Sequence, residues 1–210
     1  MKKILVIGTG GLAREFISFF SHQVEIVGFS STNKNEFIEF NLPGIFFEGG
    51  ITPSTVGTDM CVIAIGSPAT KRKISENLKS KGFTFPNLIH TSSVAEIEFC
   101  GGTEGVIISP NCTLGSNIKF ESHVYVNFMV GVGHDSDFHS YIQVNPGVQI
   151  GGFSTIESEV IIGSGATIRQ GLKVGQGATV GSGSVVLTSV RTGITVIGNP
   201  ARRLKLPSFE

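Results

Sequence analysis

The second half of the chain carries an apolar residue at every sixth position, from Gly105 to about Thr188. Divided into hexads, this stretch has a bulky apolar side chain fourth in every block, with no change of phase: Ile108, Leu114, Phe120, Val126, Val132, Phe138, Val144, Ile150, Ile156, Ile162, Ile168, Val174, Val180 and Val186. Two residues earlier in each block the side chain is mostly small or aliphatic. Nothing keeps loop length constant in a meander of strands, so this fixed period predicts a parallel β-helix built from one short strand and one turn per hexad.

Three hexads complete one coil of such a helix, so residue n should stack on residue n+18. Phe120, Phe138 and Ile156 are therefore expected above one another at the strand spacing of about 4.8 Å. A β-sandwich would show turn signals at irregular intervals of about 8–12 residues, which this stretch lacks. The period does not determine the hand of the coil, although parallel crossovers are almost always right-handed.

The first half of the chain reads as strands alternating with helices. Residues 3–7 form an apolar run typical of a strand buried on both faces, and residues 24–29 and 60–65 form two more. A glycine turn leads from the first run into a helix that starts near Leu12, and Lys71–Lys81 predicts another helix with one apolar face. The pattern predicts a small parallel βαβ sheet.

We therefore expect two domains. An α/β domain should cover residues 1–86, and a β-helix domain with a C-terminal tail should cover residues 87–210. The segment 33–57 has the least clear pattern of apolar and polar residues in the chain.

Composition excludes some partners. Sixteen Lys and Arg residues balance sixteen Asp and Glu residues, so there is no electrostatic case for nucleic acid or an anionic membrane. The apolar run at the N-terminus stops at Gly8, too short for a signal peptide or a membrane span. Cys61, Cys100 and Cys112 show no CxxC spacing and are expected to be reduced thiols. Together these features predict a cytoplasmic protein.

The glycine turn Gly8, Gly10 and Gly11 partly matches a dinucleotide fingerprint. The glycines could simply permit a tight turn, or they could let a phosphate or sugar approach the amides that begin the following helix. An NAD-binding domain would place an acidic residue at the end of the second strand to hold a ribose, and here Ser30 and Ser31 stand there. A nucleotide-linked small molecule is therefore favoured over NAD.

One histidine in the hexad region stands out as a candidate base. His134 is followed by Asp135, a carboxylate that could orient the imidazole and stabilise its charged form. The 18-residue period places Gly152 above His134, where a residue without a side chain leaves its N–H open to a ligand. The same period pairs Asn127 with Asn145. Polar residues at such turns are usually solvated, so most of Asn117, Glu121, Ser122 and Gln176 are expected to have no role, and no cluster has the spacing of metal ligands.

The motifs together carry a specific resemblance. GTGGLARE, AIGSPATKRK and LIHTSSV precede hexads that contain GHD and NPGVQIGG, and IGNPARRLK comes near the C-terminus. The chain resembles, over essentially its whole length, the hexapeptide-repeat sugar acyltransferases, which include nucleotide-activated amino-sugar N-acetyltransferases and sialic-acid O-acetyltransferase-like proteins. The resemblance implies a left-handed β-helix, a homotrimer, and acetyl-CoA bound in the groove between adjacent β-helices.

The resemblance also assigns roles to residues. It implies that His134 is the general base with Asp135 as its acidic neighbour, and that Asn127 lies at the acceptor site. The substrate-binding set is completed by residues expected to hold the nucleotide sugar: Gly8, Gly10, Gly11, Ser30, Ser31 and Gly66. The amide of Gly152 is expected to meet the thioester carbonyl, and the other predicted cofactor contacts are Gln143, Ser164 and Ser182. Arg202, Arg203 and Lys205 could meet the 3′-phosphate of CoA or be solvated.

The sequence departs from the family pattern at three places. Gln143 stands where many relatives carry a second histidine, and Leu12 replaces a histidine in the glycine turn. Ser30 and Ser31 replace acidic residues after the second strand. These changes leave the cofactor contact and the nucleotide preference open.

The predicted function is acetyl-CoA-dependent N-acetylation of a nucleotide-linked amino-deoxy sugar, of the 4-amino-4,6-dideoxy type, by direct attack on the thioester and without a metal. Two alternatives stay open on the same scaffold. One is O-acetylation of a sialic-acid-like hydroxyl, and the other is a non-catalytic nucleotide-binding trimer.

Overall fold

The computed structural model describes residues 1–99 and 101–204, without the side chains of Glu96 and Glu98. The predicted thiol Cys100 and the basic residue Lys205 lie outside the described residues. The chain divides into two compact units, Met1–His90 and a second unit that begins at Thr91, whereas the sequence pattern put the boundary after residue 86. No helix within the described ranges has the length and apolar character that crossing a bilayer requires.

The first unit is a four-stranded parallel sheet with helices, in the order β3-β2-β1-β4. Its elements are β1 (Lys2–Ile7), α1 (Gly11–Phe20), β2 (Val24–Ser30), α2 (Lys34–Glu39), β3 (Ile45–Phe46), α3 (Pro53–Val56), β4 (Cys61–Ile63), α4 (Pro68–Ser80) and β5 (Leu88–Ile89). Ile4, Leu5 and Val6 of the central strand β1 are fully buried, as its unbroken apolar run predicts. The βαβ prediction is therefore confirmed, and the segment 33–57 contains α2, β3 and α3.

Helix α4 begins three residues before the predicted start, because Ser67 caps it and Pro68 fits its first turn. Leu78 lies in the core of the first unit and Ile74 packs against that core, as expected. The same helix also buries Lys71, whose side chain is 2% exposed. Burial lowers the pKa of Lys71 to about 7.

The second unit is a parallel β-helix. Its strands are β6 (Val94–Phe99), β7 (Ile107–Ile108), β8 (Thr113–Phe120), β9 (Tyr125–Val126), β10 (Gly131–Val132), β11 (Asp137–Phe138), β12 (Gln143–Val144), β13 (Gln149–Ile150), β14 (Thr155–Ile156), β15 (Ile161–Ile162), β16 (Thr167–Ile168), β17 (Lys173–Val174), β18 (Thr179–Val180), β19 (Val185–Val186), β20 (Thr195–Ile197) and β21 (Arg202–Arg203). Strands pair in parallel at an offset of 18 residues, for example Phe138 with Phe120 and with Ile156. The fourth residue of every hexad, which is predicted to point inward, is buried.

The inward stack and the turns both follow the period. The rings of Phe120 and Phe138 stack with their centroids 4.8 Å apart. The turns form three edges of the prism, and each coil places one residue of left-handed backbone on each edge. The first edge carries Asn111, Met129, Gly147, Gly165 and Gly183; the second carries Asn117, Asp135, Phe153 and Gly171; the third carries His123, Tyr141, Glu159 and Gly177.

The last coil departs from the period. Val190 bridges Val174 and Val196 pairs with Val180, so the offset falls from 18 to 16 residues. Strand β21 then pairs antiparallel with β20, which ends the parallel stack.

Candidate active site

His134 and Asp135 lie on the second edge, in the turn between β10 and β11. Asp135 adopts the left-handed conformation, with φ of 56°, which Asp tolerates better than most residues. The turn directs both side chains outward, since His134 is exposed and Asp135 is partly exposed. His134 Nδ1 lies 2.7 Å from Asp135 Oδ2. The adjacent carboxylate expected from the sequence is therefore in hydrogen-bonding contact with the imidazole.

Asn117 is a third member of this group, and the sequence interpretation assigned it no role. Its Nδ2 donates to Asp135 Oδ1 at 2.5 Å, so each carboxylate oxygen of Asp135 has its own partner. Asn117 precedes Asp135 by 18 residues, so the stacking rule that paired His134 with Gly152 would have found it. Asn117 is exposed, as expected of a residue at a turn, and it also has a specific partner.

These two hydrogen bonds favour the ionised form of Asp135 and select the tautomer of the neutral imidazole. The bond from Asn117 is the main cause that lowers the pKa of Asp135, followed by the bond from His134 and the charges of His134 and Lys119. An ionised carboxylate can only accept hydrogen bonds, so the proton of the neutral imidazole lies on Nδ1. Nε2 is then left with a free lone pair.

Gly152 lies directly above the imidazole, as the 18-residue period predicts. A Cβ built on Gly152 would lie 2.8 Å from the backbone oxygen of His134 and 3.1 Å from its Nε2, so a side chain here would displace the ring. Gly152 is buried, and its N–H donates to no residue within the described part of the chain. Gly133, which the sequence interpretation did not single out, keeps this amide open, because a Cβ there would lie 2.3 Å from Gly152 N.

Phe153 forms one wall of the site. Its ring contacts the imidazole of His134 edge-on, with centroids 5.0 Å apart, and its side chain is largely exposed. Phe153 occupies a left-handed position, which is uncommon for an aromatic residue. Its place on the second edge follows from the hexad count, but its contact with His134 becomes visible only in the folded chain.

The remaining predicted residues of the second unit lie on or beside the first edge. Asn127 is buried and accepts a hydrogen bond from the N–H of Phe128, and Asn145 stacks one coil above. Gln143 Nε2 donates to Asn145 Oδ1 at 3.3 Å, while Gln143 Oε1 is buried without a partner in the described structure. These residues are therefore not grouped with His134 within one protomer.

Ser164 and Ser182 lie further along the first edge. Both are exposed, and Gly183 N donates to Ser164 O, one coil below. Within one chain they are separated from Gly152, which is on the second edge.

The first unit contains a separate cavity of about 510 Å³ at the carboxyl end of its sheet. Gly8, Ser30 and Ser31 line it, as predicted for a substrate site, whereas Gly10, Gly11 and Gly66 do not. Sequence reasoning missed its other lining residues, most of which come from the segment 33–57 and from helix α4. They are Thr32, Gly49, Gly50, Ile51, Ile65, Thr70, Lys73, Ile74, Asn77 and Lys81, with the core residues Ile7 and Leu78.

Of the three glycines in the turn, only Gly8 has a backbone conformation that requires a glycine. Its φ is 107°, and an added Cβ would lie 3.0 Å from the carbonyl oxygen of Ala64 at the end of the neighbouring strand. Beside it, Thr9 Oγ1 donates to Glu36 Oε2 at 2.7 Å and lies 3.1 Å from Ser31 Oγ. The hydroxyl of Ser31 is therefore engaged in the turn that follows β2.

A second cavity, of about 520 Å³, lies at the last coil of the β-helix. Arg191, Arg202 and Arg203 line it together with Thr188 and Ser189. Thr188 is two coils above Gly152 by the 18-residue period, so the cavity lies along the second edge. Among the described residues, no group of three or more His, Cys, Asp or Glu side chains could hold a metal ion. Cys61 and Cys112 are free, buried thiols.

Comparison with known proteins defines the class to which this fold and site belong. The family model described as the PglD N-terminal domain matches residues 3–78. A GDP-perosamine N-acetyltransferase of Escherichia coli O157:H7 is 36% identical over 148 residues, which cover 68% of this chain and 66% of that protein. The match thus spans just under two thirds of the relative's length.

Two solved structures share the fold over nearly the whole chain. One is the acetyltransferase domain of PglB from Neisseria gonorrhoeae in complex with acetyl coenzyme A, with a TM-score of 0.82 and 28% identity over 97% of this chain and 99% of that one. The other is a mutant of perosamine N-acetyltransferase from Caulobacter crescentus in complex with CoA and GDP-perosamine, with a TM-score of 0.86 and 20% identity over 98% of each chain. The chain therefore shares the fold of these sugar acetyltransferases, its second unit is a left-handed parallel β-helix, and both findings agree with the resemblance to the hexapeptide-repeat sugar acyltransferases.

Proposed function

We propose that the protein transfers the acetyl group of acetyl-CoA to the amino group of a nucleotide-linked amino-deoxy sugar. One observation carries the proposal: an imidazole oriented by Asp135 lies beside Gly152, whose buried N–H has no acceptor among the residues that the structure describes. A base next to an amide donor is the arrangement that acyl transfer to an amine needs. The match to a GDP-perosamine N-acetyltransferase supports the acceptor class, and no observation favours a hydroxyl acceptor.

His134 acts as the general base through Nε2. The acceptor ammonium must lose a proton before its lone pair can attack, and Nε2 is the imidazole nitrogen that Asp135 leaves free. Once the ammonium has released one proton to solvent, the amine nitrogen forms a bond to the acetyl carbon and His134 Nε2 takes the second proton from that nitrogen. The carbon–sulfur bond breaks, and the imidazolium gives its proton to the CoA thiolate, which leaves as the thiol. Asp135 stabilises the imidazolium between these steps.

The Gly152 amide stabilises the oxyanion that develops on the thioester carbonyl. A buried N–H without an acceptor is unfavourable in the free protein, and a developing negative charge makes it a strong hydrogen-bond donor. Loss of one such donor typically costs about 3 kcal/mol of transition-state stabilisation.

The cavity of the first unit holds the nucleotide. Ile51, Ile65 and Ile74 supply apolar walls for a base, and Lys73 and Lys81 supply positive charge for a diphosphate. Gly8, with Ser30 and Ser31, lies at the end of the sheet where parallel α/β domains bind such ligands.

Acetyl-CoA lies along the second edge of the β-helix, from Gly152 toward Arg191, Arg202 and Arg203. The three guanidinium groups suit the phosphates of its nucleotide end. Three coil steps at about 4.8 Å each separate His134 from Thr188, which a pantetheine arm can span.

We also propose a homotrimer, in which the second edge of one protomer meets the first edge of its neighbour. This arrangement brings Asn127, Gln143, Ser164 and Ser182 of one chain toward His134 of another, and it explains why the predicted residues are divided between two edges. A cytoplasmic location agrees with the free thiols of Cys61 and Cys112.

A His134→Ala variant tests the proposed chemistry. We expect kcat to fall by about 10²–10⁴-fold with acetyl-CoA and an amino-sugar nucleotide, because a positioned general base contributes that much. CoA release measures the rate, and His139→Ala on the neighbouring turn is the control that should keep it. Full turnover by folded His134→Ala protein would refute the proposal.

The acceptor is identified in two steps. Thermal-shift measurements with UDP, GDP and dTDP sugars show which nucleotide the first unit binds, since a specific ligand raises Tm. Amino and hydroxyl acceptors on that nucleotide then compete for acetyl-CoA, and we expect only the amine to release CoA. Binding of a nucleotide without any acetyl transfer would instead support the non-catalytic scaffold.

A further inference from the structure

We infer that Asn117 is a positioning residue: its amide holds the Asp135 carboxylate so that the second oxygen stays aimed at Nδ1 of His134. This inference rests on the proposed role of His134 as the general base. In this role Asn117 acts through Asp135.

The geometry that carries the inference is a chain of two hydrogen bonds along the second edge. Asn117 Nδ2 donates to Asp135 Oδ1 at 2.5 Å, and Asp135 Oδ2 lies 2.7 Å from His134 Nδ1. Asn117 is on the coil below Asp135, so the amide approaches the carboxylate from a rigid neighbouring turn. Its backbone is fixed there, because Asp135 N donates to the carbonyl of Ser116.

An exposed carboxylate needs such a partner to stay in one orientation. The side chains of His134 and Asp135 are 52% and 33% exposed, so water competes for both oxygens of Asp135. A bond from Asn117 to one oxygen stops the carboxylate from rotating and leaves the other oxygen for the imidazole. The Nδ1–H tautomer of His134 then persists, and Nε2 is kept free for the acceptor.

The charges around the pair agree with this role. The charged groups that act on Asp135 are His134 and Lys119, and the hydrogen bond from Asn117 contributes more than either charge to lowering its pKa. The ring of Phe153 and the backbone of Gly152, which contact His134, carry no charge. Asn117 is therefore the neutral group that orients Asp135 and most favours its ionised form.

The position allows a variant that removes the amide without straining the backbone. Asn117 has a left-handed φ of 56°, which Gly adopts at no steric cost. Asn117→Gly therefore deletes only the hydrogen bond. Asn111→Gly is the matched control, because Asn111 has a φ of 58° at the equivalent turn of the first edge.

Nitrogen-15 NMR of histidine-labelled protein gives the direct test, since ring-nitrogen shifts report the tautomer. We expect the Nδ1–H form of His134 in the wild type and in Asn111→Gly, and a mixture of tautomers in Asn117→Gly. Asn117→Asp, which has the same shape but no donor, should also lose the single tautomer, because two carboxylates repel each other.

Kinetics provide the second readout. We expect kcat to fall about tenfold in both Asn117 variants, because one hydrogen bond to a charged group is lost, with the KM for acetyl-CoA unchanged. Asn117→Gly with the wild-type tautomer and kcat would overturn the inference, and so would an equal loss in Asn111→Gly. If the wild type transfers no acetyl group, the proposed function fails, while the NMR comparison still decides whether Asn117 orients the pair.

Discussion

The residues that form this site occupy the same positions in the repeat as residues of other coils. They differ from those residues only in their side chains. Each turn of the β-helix places one side chain outward just before the left-handed residue. At the second edge, the imidazole of His134, the missing side chain of Gly152 and the amide of Asn117 coincide within two coil steps. Function at this scale depends on which coils carry these three residues.

Gly152→Ala tests how closely the base and the amide must approach. The new methyl group would lie 2.8 Å from the backbone oxygen of His134 and 3.1 Å from its Nε2, so the backbone at His134 must shift and the ring moves with it. We expect kcat/KM to fall about 10²-fold, because a misplacement of about 1 Å in a reacting group can cost that much.

Gly175→Ala is the control for this prediction. A Cβ there would lie 2.5 Å from Thr192 N, a comparable backbone clash on the third edge. Both variants should lose stability, measured by thermal melting, while only Gly152→Ala loses turnover in the protein that remains folded. Equal kinetic losses would show that the effect at Gly152 is structural.

At the scale of elements, helix α4 serves two purposes that the sequence pattern does not separate. Its exposed residues Lys73 and Asn77, with Lys81 directly after the helix, line the cavity of the first unit, whereas Lys71 is buried. The apolar spacing correctly predicted that Leu78 is buried and that Ile74 packs on the core. It could not predict the burial of Lys71, since a lysine on an amphipathic helix is normally solvated.

Lys71→Met should remove a dependence of stability on pH. Folding lowers the pKa of Lys71 from 10.5 to about 7, so between these values the unfolded chain binds more protons than the folded chain. The free energy of unfolding of the wild type therefore rises with pH across this window. Lys71→Met should be the more stable protein near pH 7.5, and the gap should shrink by about 2 kcal/mol by pH 9.5.

Urea denaturation at both pH values measures this gap. Lys79→Met, on the exposed side of the same helix, is the control that should keep the wild-type slope. A Lys71→Met protein with the wild-type pH dependence would show that the Lys71 side chain reaches solvent or an anionic partner in solution.

At the scale of the whole molecule, the chain combines a parallel α/β unit, which we propose binds the nucleotide, with a β-helix that carries the proposed chemistry. Within one protomer the proposed acceptor residue Asn127 and the base His134 occupy different edges of the prism. The two edges can form one active site if one protomer contributes its second edge and its neighbour contributes its first edge. The proposed trimer therefore predicts shared sites at the seams between subunits.

Coexpression of two inactive chains tests whether the sites are shared. We expect His134→Ala and Asn127→Ala to be inactive alone but to regain up to about a quarter of the wild-type rate in mixed trimers, because random assembly joins an intact pair at that fraction of seams. Size-exclusion chromatography verifies the trimers. No recovery in verified mixed trimers would indicate that each site lies within one chain.

The sequence by itself determined the β-helix, because a hexad repeat admits one way to bury an apolar residue in every block, and its period also determined that Gly152 lies above His134. The βαβ order of the first unit followed from its apolar runs. The period also stacks Asn117 on Asp135, but only the tertiary structure showed the hydrogen bond between their side chains. The same holds for the contact of Phe153 with His134, the burial of Lys71, and the cavity that the segment from residue 33 to residue 57 helps to form with helix α4. These outcomes depend on side-chain directions and on packing between segments distant in the chain, and local periodicity carries no information about either.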